Sequence, residues 1–294
     1  MHGKSFLLEL QRGAVLVSDG ATGTNLQQRG LPAGVAPDEW VFDNPDAIVQ
    51  LQREFVEAGS NIILTATFGG TSLRLKGSKS EGRAVELNEK AAALARQAAE
   101  PYGVFVGGSM GPVGALLKPY GPLEVDEVRQ AYAEQAAALT RGGVDLLVIE
   151  TQFALEEGRA ALEGARQASH LPVVMSFSFD QGKRTMMGVK PSQVVNTFKE
   201  LGVAAIGANC GKSLEFMEQI IAEMAALNSG IPLWAKPNAG MPRPGTSPAE
   251  YDTSPEQMAE AALRLVQAGA QIVGGCCGST PGHIAAIAAA VRQA

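Results

Sequence analysis

The chain has 294 residues, of which 46% are hydrophobic and 18% charged, and it carries a formal net charge of −6 at pH 7. This composition excludes a disordered chain, and an acidic balance without a basic stripe argues against a nucleic-acid partner. No apolar run is long enough to cross a bilayer and the N-terminus lacks a cleavable leader pattern, so we expect a soluble, cytoplasmic protein with no membrane partner.

Short aliphatic runs alternate with amphipathic, alanine-rich stretches along the whole chain, which indicates strands and helices in alternation. After a short helix in the N-terminal segment, the predicted strands are Val15–Ser18, Asn61–Thr65, Val104–Gly107, Asp145–Ile149, Pro172–Ser178, Ala204–Ala208, Pro232–Lys236 and Gln271–Gly274. The helices that follow them in turn are predicted at Pro45–Ala58, Arg83–Ala99, Val125–Arg141, Leu155–Ser169, Ser192–Leu201, Leu214–Leu227, Pro255–Ala268 and Pro281–Arg292. Such alternation requires a parallel sheet, and eight units indicate a closed barrel. We therefore predict an α/β fold, a single (β/α)8 TIM barrel with an N-terminal extension, as one domain over residues 1–294.

Three helix starts have a capping residue before a proline, namely Asn44-Pro45, Ser254-Pro255 and Thr280-Pro281. The loops differ in length on the two sides of the predicted barrel. Helix-to-strand connections are short, whereas several strand-to-helix loops are long, and ligand sites of barrels lie at the carboxyl ends of the strands. The residues at those strand ends are Asp19, Thr67, Ser109, Glu150, Ser178, Asn209, Cys210, Asn238, Cys276 and Cys277.

All three cysteines of the chain fall at this predicted end of the barrel. Cys276 and Cys277 are adjacent, are flanked by glycines and follow the eighth predicted strand. Cys210 follows the sixth predicted strand, and only the seventh strand separates the two positions in a barrel. Soft thiolate ligands select zinc, and a site with three protein ligands leaves the fourth position open for a substrate. We therefore predict that Cys210, Cys276 and Cys277 bind a catalytic Zn²⁺ ion.

The number of thiolates also limits the chemistry of such a site. Three thiolates give the zinc unit a net negative charge, so it ionises water poorly, whereas a bound thiolate substrate stays nucleophilic. Attack of that sulfur on a methyl group is the natural reaction. A zinc-dependent hydrolase or lyase on the same barrel, a methyltransferase for another small thiol, and a redox-sensing thiol protein are the alternatives.

Seven motifs between residues 19 and 284 carry a resemblance to a known family. They are Asp19-Gly20-Ala21-Thr22-Gly23-Thr24, Arg53-Glu54-Phe55 with Ala58-Gly59-Ser60, Gly111-Pro112, Ile149-Glu150-Thr151, Gly207-Ala208-Asn209-Cys210, Lys236-Pro237-Asn238-Ala239-Gly240 and Gly274-Gly275-Cys276-Cys277-Gly278. The chain resembles the zinc-dependent homocysteine S-methyltransferases, which include betaine-dependent enzymes, S-methylmethionine-dependent enzymes and the first module of cobalamin-dependent methionine synthase.

The resemblance implies that homocysteine binds zinc through its sulfur and becomes methionine. It also implies that Asp19 and Glu150 hold the amino group, and the backbone N–H groups of the Gly20-Ala21-Thr22 turn suit its carboxylate. Asn209 and Asn238 complete the predicted substrate-binding residues.

The methyl donor is the part of the predicted reaction that the motifs leave open. The chain ends just after the last predicted helix, and Thr151 replaces the tyrosine of betaine-dependent relatives. We therefore expect a methyl-corrinoid protein as the donor, with betaine and S-methylmethionine as alternatives.

Overall fold

Eight parallel strands form one sheet in the order β1-β8-β7-β6-β5-β4-β3-β2 in the computed structural model, which describes residues 5–243 and 249–293. The strands are β1 Leu16–Val17, β2 Ile62–Leu64, β3 Phe105–Met110, β4 Leu146–Gln152, β5 Val173–Phe177, β6 Ala205–Cys210, β7 Leu233–Pro237 and β8 Ala270–Val273. The first and last strands of this order meet through a parallel bridge between Ser18 and Ile62, and the amide of Asp19 donates to the carbonyl of Ile62 at 2.9 Å. The sheet therefore closes into the predicted barrel. The single domain over residues 1–294 stays a prediction, since residues 1–4, 244–248 and 294 lie outside the described residues.

The helices of the described chain precede β1, connect successive strands and follow β8. They are α1 Phe6–Gln11, α2 Gly23–Gln28, α3 Trp40–Asp43, α4 Pro45–Glu57, α5 Ala84–Ala99, α6 Val125–Arg141, α7 Leu155–Ala168, α8 Pro191–Phe198, α9 Leu214–Ala225, α10 Pro255–Gln267 and α11 Pro281–Gln293. Helices α2 and α3 lie in the first long loop and were not predicted. The ends of the predicted elements differ from the observed ones by no more than three residues. Within the described ranges, no helix is long and apolar enough to cross a membrane.

The helix starts follow the capping prediction only in part. The Ser254 hydroxyl accepts from the amide of Gln257, and the Gln257 side chain accepts from the amide of Ser254 at 2.8 Å, which makes a capping box. Helix α4 begins at Pro45 as expected, but the Asn44 side chain makes no capping hydrogen bond, so this part of the prediction is wrong. The fixed φ of Pro45 suits the first helical position without that bond.

The interior of the barrel is apolar at its amino-terminal end and polar at its carboxyl end. Alternate side chains of each strand point inward, and the inward layers include Val148 on β4 and Trp234 on β7. Helix α1 covers the amino-terminal end, where the Phe6 ring packs edge-on against the Phe105 ring at 5.8 Å between centroids. Two residues farther along β4 and β7, the same periodicity places polar side chains above this apolar layer.

Candidate metal and substrate site

A cavity of about 430 Å³ opens at the carboxyl end of the barrel. Its lining includes Glu150, Cys210, Cys276 and Cys277. A larger groove of about 770 Å³ lies at the opposite end beside α1, but Arg166 and His170 are the only ionisable side chains that line it. Because the smaller cavity is lined by carboxyl groups, a lysine and all three cysteines, we take it as the candidate site.

The three cysteine sulfurs converge at this cavity as the sequence predicted. Cys210 ends β6, Cys276 and Cys277 follow β8, and the amide of Cys276 donates to the carbonyl of Pro237 on β7 at 2.7 Å. The Sγ atoms of Cys210 and Cys276 are 3.1 Å apart, and all three sulfurs lie within 4.8 Å of one another. Zn–S bonds of about 2.3 Å in a tetrahedral site place sulfurs about 3.8 Å apart, so this cluster has the size of a zinc site.

The electrostatics of the three thiols also suit a cation. Hydrogen bonds from Cys210 and Cys276 lower the pKa of Cys277, which makes it the first thiol of the cluster to ionise. Hydrogen bonding to its two neighbours and burial raise the pKa of Cys210. A second and third thiolate are therefore unfavourable without a positive charge, and a divalent cation supplies that charge.

The Asn209 side chain contacts two of the three cysteine sulfurs. Its amide nitrogen lies 3.4 Å from Cys210 Sγ and 3.9 Å from Cys276 Sγ, and donates to the Thr151 hydroxyl at 2.7 Å. Its carbonyl oxygen accepts from the Thr151 amide at 2.9 Å and from the Ser176 hydroxyl at 2.6 Å. Asn209 is fully buried, so these contacts suit the orientation of the sulfurs. Its contact with substrate stays a prediction.

Two residues beside the cluster have left-handed backbone conformations. Cys210 has φ 61° and Thr151 has φ 60°, and Asn228 is the one other non-glycine residue of the described chain with positive φ. Such a conformation costs on the order of 1–3 kcal/mol in a non-glycine residue and is retained where the surroundings enforce it. The Asn209 hydrogen bonds to Thr151 are part of that enforcement.

Glu150 is a buried carboxyl group in the lining of the cavity. It ends the inward row of β4, is 7% exposed, and accepts a 2.5 Å hydrogen bond from the Ser109 hydroxyl. Burial raises the pKa of Glu150 to about 7, against the opposing effect of the nearby Lys236 charge. The Glu150 carboxyl group therefore changes its charge near neutral pH, and a cationic ligand would stabilise its ionised form.

Asp19 is paired with a lysine that the sequence analysis did not select. Lys236 Nζ donates to Asp19 Oδ1 at 2.7 Å, and both side chains are almost completely buried. Asp19 Oδ2 accepts from the amide of Leu64 at 2.7 Å. Lys236 lines the cavity two residues beyond Trp234, so the inward position of its side chain follows from strand periodicity.

The turn after β1 lines the cavity where the substrate carboxylate was predicted to bind. Gly20, Ala21 and Thr22 all contribute to the lining, but the amide of Ala21 already donates to the carbonyl of Ser279. A Cβ on Gly20 would lie 2.8 Å from the Phe55 ring and 2.9 Å from the Ser279 carbonyl oxygen, so this close turn requires glycine. The amides of Gly20 and Thr22 remain the candidates for a carboxylate.

Two further residues concern the site: Asn238, which was predicted to bind substrate, and Asp38, which was not predicted. Asn238 donates to the carbonyl of Gly211 at 2.9 Å, and its buried Oδ1 has no partner among the described residues. Asp38 lines the cavity and accepts from the amide of Gly69 at 2.9 Å, and burial raises its pKa to about 6. Nothing in the sequence near Asp38 signals this burial, because it depends on packing against the loop after β2.

Comparisons with known sequences identify the family of this chain. The sequence profile of the homocysteine S-methyltransferase family matches residues 16–291. Methionine synthase from Mycobacterium tuberculosis is 33% identical and that from Mycobacterium leprae 32% identical, each over 98% of this chain. The matched region is 25% of each relative, so the chain spans about a quarter of the length of the curated relatives it matches.

Solved structures give the same relationship. The homocysteine methyltransferase MmuM from Escherichia coli, in its metallated form, has a TM-score of 0.81 and 26% identity over 96% of this chain and 98% of that chain. Its oxidised form has a TM-score of 0.80 and 26% identity over 95% and 97%. The carboxyl transferase domain of Rhizobium etli pyruvate carboxylase, at TM-score 0.52 and 16% identity over 98% of this chain and 49% of that chain, shares the fold alone.

Proposed function

Because the chain belongs to the homocysteine S-methyltransferase family, we propose that it transfers a methyl group to the sulfur of homocysteine and so forms methionine. Family membership makes the chain a methyltransferase; the acceptor, the metal and the donor are the proposed parts. The observation that carries the proposal is the meeting of three cysteine sulfurs in a cavity that the buried carboxyl group of Glu150 also lines.

The proposed ligands of a zinc ion are Cys210, Cys276 and Cys277. The size of the sulfur cluster and the cost of ionising it without a cation support this assignment, as does the metallated form in which the related MmuM was solved. Zinc held there would lower the pKa of an incoming thiol, so that the thiol gives up its proton to solvent and stays a nucleophilic thiolate. The thiolate sulfur then forms a bond to the methyl carbon while the bond from that carbon to the donor breaks, and the donor keeps the electron pair.

The side chains around the cluster hold the sulfurs and the acceptor in place. The amide of Asn209 points at two cysteine sulfurs and fixes their orientation. Glu150 lines the end of the barrel where the ammonium group of homocysteine is proposed to lie, and Asp19 lies at the same end, paired with Lys236. The amides of Gly20 and Thr22 are proposed to receive its carboxylate.

The proposed donor is a methyl-corrinoid protein, with betaine and S-methylmethionine as the alternatives. Five large apolar side chains are exposed on loops that follow strands at the carboxyl end of the barrel, and one of them, Phe68, lines the cavity: Phe68, Tyr120, Met186, Met187 and Met241. Exposed apolar side chains on the loops at one end of a barrel suit contact with another protein. This arrangement favours a macromolecular donor over a small molecule enclosed by the loops.

A donor panel tests the proposed function. Zinc-loaded protein is incubated with homocysteine and either methylcobalamin, betaine or S-methylmethionine, and methionine formation is measured, with Cys276→Ala as the inactive control. We expect slow turnover with free methylcobalamin. Fast, saturable turnover with either small donor contradicts the corrinoid assignment alone. Absence of methionine with every donor, together with no binding of homocysteine to the zinc-loaded protein, contradicts the proposed function.

A further inference from the structure

Lys236 places a buried positive charge beside Asp19 at the carboxyl end of the barrel. Its side chain is 3% exposed, and its ammonium group lies 2.7 Å from Asp19 Oδ1 and 5.6 Å from the centroid of the Trp234 ring. The Trp234 side chain below it is fully buried. A lysine in such surroundings is stable only beside a negative partner, so the pairing with Asp19 is a fixed feature of the site.

Both oxygens of Asp19 are already hydrogen-bonded within the protein. Oδ1 accepts from Lys236 and Oδ2 accepts from the amide of Leu64, both at 2.7 Å. The Asp19 side chain is 2% exposed and is not part of the cavity lining. An ammonium group of a substrate would have to displace Lys236 to reach this carboxylate, and the lysine would then be buried without a partner.

Glu150 differs from Asp19 in each of these respects. Glu150 lines the cavity. Its Oε1 accepts one hydrogen bond within the described residues, from the Ser109 hydroxyl. Its Oε2 has no hydrogen-bond partner among the described residues and is not sealed from the cavity. Glu150 therefore presents a free oxygen to a ligand, whereas Asp19 does not.

We propose that Lys236 determines the acceptor specificity of the site by neutralising Asp19, which leaves Glu150 as the one carboxylate that binds the ammonium group of the acceptor. This inference rests on the proposed function and narrows its substrate class. With Lys236 present the three side chains can carry one net negative charge, and without it they can carry two. The site therefore takes thiols with a single ammonium group, and it also admits thiol carboxylates that lack one.

One analogue of homocysteine isolates the contribution of the ammonium group of the acceptor. The probe 4-mercaptobutanoate is homocysteine without its amino group, and both thiols are titrated calorimetrically into the zinc-loaded full chain at pH 8. The measured quantity is the ratio of the two dissociation constants, which cancels effects on the metal or the thiolate that both ligands share. A purely structural role of Lys236 changes both constants by the same factor and leaves the ratio unaltered.

Variants at Lys236 and Asp19 give opposite expectations for the proposal and its rival. In Lys236→Met the released Asp19 carboxylate is expected to increase the preference for homocysteine about tenfold or more, the effect of one charge-assisted hydrogen bond. In the double variant Asp19→Asn/Lys236→Met, which removes both buried charges together, the ratio should stay within about twofold of the wild-type value. The double variant keeps the test decisive if the single variant does not fold.

The rival assignment is direct binding of the substrate ammonium by Asp19. It predicts that the double variant loses about tenfold or more of the preference for homocysteine, and that result would overturn the proposal. An unchanged ratio in a folded Lys236→Met protein would overturn it as well. Failure of both thiols to bind the zinc-loaded wild-type chain is a different outcome, because it contradicts the proposed function itself.

Discussion

Cys210 Sγ lies 3.1 Å from Cys276 Sγ although the two residues are 66 positions apart in the chain. The contact exists because β6 and β8 flank β7 in the barrel and both cysteines lie at the carboxyl ends of their strands. Two thiolates at this distance repel one another, so the arrangement is stable with a cation or with protons between the sulfurs. The proposed metal site depends on this contact.

The first prediction concerns the metal content. Protein purified under reducing conditions should hold about one zinc per chain, and Cys276→Ala should lose most of it because two remaining thiolates bind zinc weakly. Zinc is measured by atomic absorption after removal of loosely bound metal by gel filtration. Glu150→Gln is the control that should keep its zinc. Full zinc occupancy in a Cys210/Cys276/Cys277 triple alanine variant would show that the metal binds elsewhere.

The second prediction concerns the ionisation of Glu150. Its pKa of about 7 means that the carboxyl group is neutral below pH 7 and charged above it, so homocysteine should bind more tightly as pH rises through 7. Ionisation of the ligand thiol should also strengthen binding as pH rises. Because 4-mercaptobutanoate has the thiol and no ammonium group, its binding measures this contribution separately. The excess pH dependence of homocysteine over the analogue is the expected contribution of Glu150.

Glu150→Gln should remove this excess. It should also weaken homocysteine binding at pH 8 by about tenfold to a hundredfold, which is the effect of losing one charge-assisted hydrogen bond worth about 1.5–3 kcal/mol. Binding of 4-mercaptobutanoate should change little. If both ligands keep the same pH dependence in the wild type and the variant, Glu150 does not contact the ammonium group.

The third prediction concerns Asp38, whose pKa burial raises from 3.8 to about 6. A carboxyl group with a raised pKa stabilises the fold while it is protonated, and this contribution is lost as pH rises through about 6. Asp38→Asn cannot ionise and still offers an acceptor to the Gly69 amide. On going from pH 5 to pH 8, the free energy of unfolding of the variant should therefore rise relative to the wild type by on the order of 1 kcal/mol.

Urea denaturation at the two pH values measures this difference. Asp43→Asn serves as the matched control, because Asp43 is a half-exposed carboxylate of the same loop. An identical pH dependence in the wild type and Asp38→Asn would mean that Asp38 is hydrated in solution.

The fourth prediction uses two glycines in different surroundings. A Cβ at Gly207 on β6 would lie 1.8 Å from the carbonyl oxygen of Trp234 on β7, so Gly207→Ala must separate these strands. We expect a loss of several kcal/mol of stability or no folded protein, since overpacking against a backbone atom cannot relax through a rotamer. Gly282→Ala in α11, whose nearest neighbour is the Thr280 hydroxyl at 3.5 Å, should be neutral or stabilise by about 0.5–1 kcal/mol.

Thermal unfolding of the two alanine variants measures the comparison. A folded Gly207→Ala protein with wild-type stability would mean that β6 and β7 are not paired as described. Such a result would also undermine the position of Cys210, which lies at the end of the same strand.

The barrel and the cysteine cluster were predictable because both follow from local patterns. Eight alternations of apolar strands and amphipathic helices require the barrel, and the ends of its strands then bring Cys210 to Cys276. Helix α2 was missed because its six residues begin at a glycine and have no side-chain cap. Such a helix depends on its packing and has no sequence signal of its own.

The pairing of Asp19 with Lys236 could not be predicted from either residue. The two are 217 positions apart, and the inward direction of Lys236 depends on its register above Trp234 in the finished barrel. A lysine followed by a proline at the end of a strand is usually exposed to solvent in a loop. The burial of Asp38 likewise depends on the Gly69 amide from another loop.

Zinc K-edge X-ray absorption of the zinc-loaded chain, before and after addition of homocysteine, measures whether the acceptor sulfur binds the metal of the cysteine cluster. Without substrate we expect three sulfur ligands at about 2.3 Å and one oxygen or nitrogen ligand. With homocysteine we expect a fourth sulfur at the same distance in place of the lighter atom, whereas 2-aminobutanoate, which lacks the thiol, should leave the spectrum unchanged. A metal that keeps three sulfurs and a light ligand in the presence of saturating homocysteine would contradict the account.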